Sequence, residues 1–310
     1  MAITAAMVKE LRERTGVGML DCKKALGETD GDMDKAIEYL REKGLAASEK
    51  KAGRIASEGI VDVYVNDDNT LATVVEVNSE TDFVAKNQLF KDYVAAVAKQ
   101  ASKCATNDMD AFMAEKWDLE PEFTVKEALS QQVAVIGENL NIRRFETFKK
   151  GQSGKLVSYV HGGGRIGVMM EIACEKEVDE VVEMGKNVAM QIAALNPTFI
   201  SEKNVPAEYI EKEAEILTSQ AKNDPKNANK PDNIIEKMIE GRLKKSLKEI
   251  CLLEQPYVKD GDMSVQQYID SVAKTVGASI EIKRCIRFET GEGLEKKDEN
   301  FADEVAKAMS

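Results

Sequence analysis

Two stretches of this chain can be written one over the other without a gap. IVDVYVNDDNTLATVVEV, Ile60 to Val77, lies over KLVSYVHGGGRIGVMMEI, Lys155 to Ile172, at a constant offset of 95 residues. Tyr64 then meets Tyr159, Leu71 meets Ile166 and Glu76 meets Glu171. Each copy runs from an alternating or β-branched stretch through a turn-prone centre into a second apolar stretch, which is the pattern of an antiparallel hairpin. Apolar residues at helical spacing follow both, Phe90, Val94 and Val97 in the first copy and Val188 and Ile192 in the second. RRFET, Arg143 to Thr147, and IRFET, Ile286 to Thr290, add a strand-like pair. The repeat predicts an α+β chain with a duplicated core, each half a small antiparallel sheet with helices against it.

The remainder reads as helices arranged around that core. Thr4 caps a segment with Val8 and Leu11 on one side, Met19 to Leu26 make a second, and Asp30-Gly31-Asp32 opens a third with Met33, Ala36, Ile37 and Leu40 inward before Gly44 stops it. The following ASEKKAGRIASEG suits a linker or a loosely packed helix. Thr124 and Glu127 form a capping box for a helix with Val125, Leu129, Val133 and Ile136. The second half carries an insertion. Ile210, Ala214, Leu217 and Ala221 make one stripe and Ile235, Ile239, Leu243, Leu247 and Ile250 another, joined by the turn-rich NDPKNANKPD, with Asn233 and Glu236 at cap spacing. Two long helices so joined form an antiparallel hairpin. Stripes that pack only on each other and stripes that bind a partner or a second copy give the same pattern.

Gly162, Gly164 and Gly167 have the G-x-G-x-x-G spacing of a dinucleotide loop. That loop needs a strand before it and a helix after it, because the helix N-terminus holds the pyrophosphate. Here VMMEI, a strand pattern, follows, and the equivalent loop of the first copy is the acidic NDDNT. The glycines therefore predict a hairpin turn. Catalytic readings find little material. His161 is the only histidine and has no nucleophile near it in sequence, and the five cysteines are scattered without a C-x-x-C. The carboxylates are spread over helix faces, so no metal, cofactor or catalytic residue is expected. With 43 Lys and Arg against 55 Asp and Glu, a net charge of −12 opposes direct nucleic-acid binding. The N-terminus lacks the apolar core of a signal peptide and no apolar run approaches the ~20 residues of a membrane span, so a cytoplasmic location is expected.

The two copies differ most after the second strand. The first reads NSETDFVAKN and the second ACEKEVDEVV, so Glu177 matches Asp82 while only Val178 matches Phe83. Ser79 or Thr81 caps the helix that follows, with Asp82 complementing its dipole. Phe83 reads equally well as an anchor for that cap and as an exposed functional residue.

TDFVAKN, VKELRERTGVGMLDCKKAL near the N-terminus, HGGGRIGV in the second half and EKMIEGRLKK in the inserted hairpin together resemble the elongation factor Ts family of bacterial translation. The resemblance runs in order from Ile3 to Met309. It implies a guanine-nucleotide exchange factor, without covalent chemistry, for the GTPase EF-Tu in its GDP-bound and nucleotide-free forms. It also implies a module like the ubiquitin-associated fold over 1–54, core halves over 55–147 and 148–290 with a coiled hairpin at about 205–255, and a C-terminal helical module over 291–310. The chain departs from the family's commonest form in its longer, Asn- and Pro-rich hairpin turn, 223–232, and the family analogy extends to a homodimer or a 2:2 complex.

By the same resemblance, Thr81, Asp82, Phe83 and Val84 enter the GTPase near its magnesium. Lys9, Arg12, Met19 and Leu20 of the N-terminal module touch the G domain, against the plain alternative that Met19 and Leu20 are bundle core. His161 and Arg165 face another domain of the GTPase, and Phe301 and Met309, on one stripe with Val305, contact the G domain. Two rival readings are a nucleotide-dependent oxidoreductase built on the glycine turn and a noncatalytic adaptor using the N-terminal bundle.

Overall fold

The computed structural model describes residues 3–224, 227 and 230–296. Three helices open the chain, α1 (Ala5–Thr15), α2 (Met19–Glu28) and α3 (Met33–Lys51). The Thr4 hydroxyl accepts the Met7 amide and the Asp32 carboxylate accepts that of Lys35, so two of the three begin with a side-chain oxygen satisfying an orphan N–H. Val8, Leu11, Cys22, Leu26, Ala36 and Leu40 bury against one another. The third helix does not stop at Gly44, as the sequence reading has it, but runs on to Lys51 and takes up part of the expected linker. A helix elsewhere supplies the reason: the segment after Gly44 stays helical where α3 packs along the helix over residues 125–136, with Ala134 beside Gly44. That packing outweighs the roughly 1 kcal/mol that glycine costs a helix interior.

The first half of the core contains β1 (Glu58–Val65), β2 (Leu71–Ser79), the single-turn α4 (Asp82–Lys86), α5 (Gln88–Ala101), α6 (Met109–Ala114), α7 (Val125–Ile136) and β3 (Asn141–Lys149). Its antiparallel sheet has the order β1-β2-β3. Ile60, Val75, Val77 and Phe145 face Phe90, Val94, Phe112 and Val133 of the helices. Thr124 and Glu127 make the expected capping box of α7.

The second half repeats the plan with β4 (Lys155–His161), β5 (Ile166–Cys174), α8 (Asp179–Leu195), α9 (Ala207–Asn223), α10 (Asp232–Ile250), a short ribbon of β6 (Pro256–Tyr257) and β7 (Asp260–Ser264), α11 (Val265–Val276) and β8 (Ile280–Glu289). Its sheet has the order β4-β5-β8. The hairpin over the glycines is as expected, since a strand and not a helix follows them. Two details differ from the sequence reading. Helix α10 starts at Asp232 directly after Pro231, so Asn233 lies inside its first turn and does not cap it. Proline, with its fixed φ and missing N–H, suits such a helix start. The RFET match is also out of register. Arg144 lies opposite Glu76 and Arg284 opposite Glu171, so the third strands correspond at an offset of 140 residues, whereas the RFET motifs are 143 apart. A shift of three reverses the face: Phe145 joins the helix side of its sheet, while Phe288 turns to the opposite side.

That opposite side is where the halves meet. Val61, Ala72, Val74 and Phe148 of one sheet pack on Leu156, Met169 and Phe288 of the other. Polar contacts across it come in matched pairs. The Val61 amide donates to the Gly164 carbonyl at 2.7 Å, and at the equivalent place the Leu156 amide donates to the Asn69 side chain at 2.9 Å. Each hairpin tip thus docks on the first strand of the other half. Gly164, at φ +101°, has no room for a side chain against Ile60. Glu76, fully buried, accepts from Arg143 (3.0 Å), Arg144 (2.6 Å) and the Gly291 amide (2.8 Å), and Glu171 accepts from Arg284 (2.7 Å) and the Gly151 amide (2.7 Å). Arg144 stacks on Phe288 and Arg284 on Phe148, at 4.1 and 4.2 Å from the ring centres.

Removing the Glu76 carboxylate leaves Arg143 without a carboxylate partner and Arg144 with only the half-exposed Glu292. Glu76→Ala is expected to lower the unfolding free energy by about 3 kcal/mol in urea melts, at the low end for buried pairs because both arginines keep some solvent contact.

Candidate functional site

The corner between β2 and the next helix carries the segment in which the two halves differ. Strand β2 ends at Ser79, and the Ser79 hydroxyl donates to the Thr81 carbonyl at 3.0 Å. Thr81 is the N-cap of α4, its hydroxyl accepting the Val84 amide at 3.4 Å, so Thr81 and not Ser79 is the capping residue. Five residues make one turn of helix and none of them is buried. Val84 and Ala85 lean on the core, whereas Asp82 and Phe83 point outward.

Phe83 is 79% exposed. An aromatic ring so placed contributes nothing to a core, which disposes of the anchor alternative. Lys86, one turn on, reaches both neighbours: its ammonium bonds the Asp82 carboxylate at 2.6 Å and lies 6.0 Å from the centre of the Phe83 ring. That hydrogen bond to Lys86 holds the Asp82 carboxyl below its ordinary pKa, so the group is an anion at neutral pH. The loop before α4 is held from outside, because Glu138 accepts hydrogen bonds from the backbone of Glu80 and Thr81.

The other expected contact residues lie on separate elements. Met19 and Leu20 open α2 and are 54% and 84% exposed, so neither belongs to the bundle core. Lys9 and Arg12 are exposed on α1, with Lys9 beside Glu13 at 3.7 Å. His161 ends β4 and Arg165 follows the glycine turn, both exposed, and the Tyr159 hydroxyl is 2.8 Å from His161 Nδ1. The fold brings this hairpin tip to α4: Asp82, Lys86, Gly162, Arg165, Thr290 and Lys296 line one cleft. Phe301, Val305 and Met309 lie outside the described residues, as does all of the 291–310 module beyond residue 296.

At the matching corner of the second half the same carboxylate position does different work. Glu177 bonds Lys155 (2.9 Å) and Lys150 (3.1 Å), and these two ammonium groups lower its pKa to about 2. Helix α8 then starts at Asp179 without a side-chain cap, and no outward turn forms. Among the described residues no helix is long and apolar enough to cross a membrane, and no group of three or more His, Cys, Asp and Glu residues could hold a metal ion. Residues 80–292 match the family described as Elongation factor TS.

The chain belongs to the elongation factor Ts family.

The matched span begins at the strand-to-helix corner, just after β1 and β2, and takes in the helices and third strand of the first half and the second half with its inserted hairpin. The chain is 54% identical over 305 residues to Elongation factor Ts of Clostridium perfringens (strain SM101 / Type A), covering 98% of each. It is 52% identical over 307 residues to that of Clostridioides difficile (strain 630) and 51% over 308 residues to that of Clostridium novyi (strain NT), each pair covered to 99%. Family members are translation elongation factors, and this chain is similar to them from end to end.

Two of the site's supports were not singled out in the sequence. Lys86 had a signal, since it stands four residues after Asp82 on one helical face. Glu138 had none, being far from Thr81 along the chain.

Two outcomes follow from this geometry. Phe83→Ala is expected to change the unfolding free energy by less than about 0.5 kcal/mol, measured by thermal or urea unfolding, because an exposed ring away from special backbone features has little folded-state role. Glu177→Gln is expected to cost about 0.5 kcal/mol at neutral pH, a figure set by the partial exposure of all three groups. Because folding depresses this pKa from 4.5 to about 2, the contribution is complete above pH 4.5 and disappears as the pH falls through 2. Unfolding curves of wild type and variant should therefore converge in acid.

Proposed function

We propose that the chain is a guanine-nucleotide exchange factor for the translation GTPase EF-Tu, acting without covalent chemistry. The observation that carries this reading is Phe83, an aromatic ring held out in solvent beside an ionised carboxylate, in a chain of the elongation factor Ts family.

GDP in such a GTPase is held by backbone amides, a lysine and Mg²⁺, and the metal neutralises phosphate charge. On this reading Thr81 to Val84 enter the G domain. The Phe83 ring displaces groups beside the magnesium, the Asp82 anion adds an unfavourable charge near the phosphates, and the metal and then the β-phosphate loosen. Coupling between the two ligands is reciprocal: a factor that weakens GDP binding is itself bound less tightly in the presence of GDP, by the same ratio. GTP then enters the emptied site and the factor leaves.

Other contacts extend the same surface. Exposed Met19 and Leu20, with Lys9 and Arg12, support a contact from the N-terminal module to the G domain. His161 and Arg165 at the second hairpin tip face another domain of the GTPase, and Phe301 and Met309 add a C-terminal contact. The proposed domains are 1–54, 55–147, 148–290 with the hairpin at about 205–255, and 291–310. A cytoplasmic location and a homodimeric or 2:2 assembly belong to this reading, and neither nucleic acid nor membrane enters it.

The test is release of a fluorescent GDP analogue from EF-Tu with Mg²⁺ present. Wild type is expected to accelerate it, and the folded Asp82→Ala/Phe83→Ala variant to lose about 2 to 4 kcal/mol of that effect, the size of an interface hot spot, or roughly 30- to 900-fold in rate. A well-folded wild type without any effect overturns the proposal. A chain that needs only residues 1–54 to bind its partner is an adaptor instead.

A further inference from the structure

We propose that Glu138 is the positioning residue of the exchange corner, acting through Asp82 and Phe83 and not by touching the partner. The proposal rests on the exchange reading above for its effect on rate, and on the free protein alone for the positioning itself.

Helix α4 is only weakly held by its own residues. A single turn fixes several backbone torsions for one or two hydrogen bonds, so an isolated five-residue helix is unfavourable in water, and this one compensates only through the half-buried Val84 and Ala85. Its N-terminal approach is instead gripped by one carboxylate. Glu138 Oε2 accepts the Glu80 amide at 3.1 Å and the Thr81 amide at 3.0 Å, while Oε1 accepts the Thr81 hydroxyl proton at 2.6 Å. With its proton committed there, the Thr81 oxygen presents its lone pairs to the Val84 amide, one residue past Phe83. The grip is reciprocal, since the Glu80 carboxylate accepts the Asn139 amide at 2.6 Å and the Asn139 side chain donates to the Arg54 carbonyl at 2.8 Å. Hydrogen bonds to an ionised acceptor are about twice as strong as neutral ones.

The duplication supplies an internal comparison. Helices α7 and α11 correspond residue for residue, with capping boxes at Thr124/Glu127 and Ser264/Gln267 and left-handed glycine caps at Gly137 and Gly277. The residue after the glycine is Glu138 in the first half and Ala278 in the second. Thr81 corresponds to Lys176, whose ammonium bonds the Val276 carbonyl at 2.7 Å and closes the corner without a carboxylate. The half with the outward turn has Glu138, and the half without it has alanine.

The experiment uses the full chain with Glu138→Ala, Glu138→Gln, Asp82→Ala/Phe83→Ala and the triple variant, in two assays. Hydrogen–deuterium exchange of the free protein is expected to show the amides of residues 80–86 opening at least ~10-fold faster in Glu138→Ala, with β1 to β3 unchanged, and most of the protection kept in Glu138→Gln, which retains an acceptor for the two backbone amides. In GDP-analogue release, Glu138→Ala is expected to be ~10-fold slower than wild type, Glu138→Gln nearly normal, and the triple variant no slower than the Asp82→Ala/Phe83→Ala variant, because a group that works only through two side chains has nothing left to act on. Unchanged protection at 80–86, or a Glu138→Ala loss that adds in full to that of the double variant, overturns the proposal. Should Glu138→Ala fail to fold, Thr81→Val removes the hydroxyl bond to Glu138 together with the cap on Val84 that this bond orients, and absence of local opening there overturns the proposal equally. If wild type itself fails to accelerate release, the exchange reading falls and the hydrogen-exchange assay alone decides whether Glu138 positions the corner.

Discussion

Two buried carboxylates, Glu76 and Glu171, join the halves of this molecule. Each lies on the middle strand of its sheet, bonds an arginine on the third strand, and accepts a backbone amide from just beyond a third strand, Gly291 of the second half for Glu76 and Gly151 for Glu171. The arginines are then fixed flat over Phe288 and Phe148, which belong to the opposite half. Charge, stacking and apolar packing thus act at one seam. A contact that appears twice with the partners exchanged is the arrangement of a two-fold symmetric interface between identical subunits, here built within one chain.

The seam explains the composition of the middle strands. Val74 and Val75 of β2, and Met169 and Met170 of β5, are adjacent in sequence and fully buried on opposite faces, one toward the helices and one toward the other sheet. A sheet covered on both sides reads as a continuous apolar run where a half-exposed one alternates. It also explains the glycine turn. Gly164 and Gly167 are where the second hairpin meets the side chains of Ile60 and Val61 too closely to carry side chains of its own, and Gly162 turns at φ +60°, so the G-x-G-x-x-G spacing reflects a turn packed on the other half.

The proposed exchange corner lies where the two halves cease to match. Both have a strand-to-helix corner and both have a carboxylate there, but Glu177 is neutralised by two lysines while Asp82 keeps one and projects beside an exposed ring. The second half instead extends through α9 and α10, inserted at a loop where backbone can leave and return without breaking the sheet. A rigid two-sheet core thereby carries several outward features, the α4 turn, the hairpin tip at His161 and Arg165, and the helical arm. Binding residues sit on such loops and corners because the elements behind them are already satisfied.

The repeat, the hairpins, the capping box at Thr124 and the two stripes of the inserted arm were legible in the sequence, since each is a local pattern set by side-chain periodicity or by a cap. Helix α11 was legible in principle from Ser264, Gln267 and Gly277, but its match to α7 emerges only after the insertion is discounted. Gly44 was misread as a stop because glycine only weakens a helix interior, and whether the helix continues past it depends on what the helix packs against, here α7. The RFET motifs were equated by identity of letters, while strand register depends on which carboxylate each arginine finds. TDFV was singled out by difference between copies and by family resemblance, but whether Phe83 faced core or solvent was open until the fold placed it. Sequence alone determined what each segment forms, because those preferences act over a few residues. Tertiary structure decided which segments meet, that Glu138 grips Thr81 and that Glu76 holds Gly291, because these bonds join residues far apart in the chain and exist only once the sheets have closed on each other.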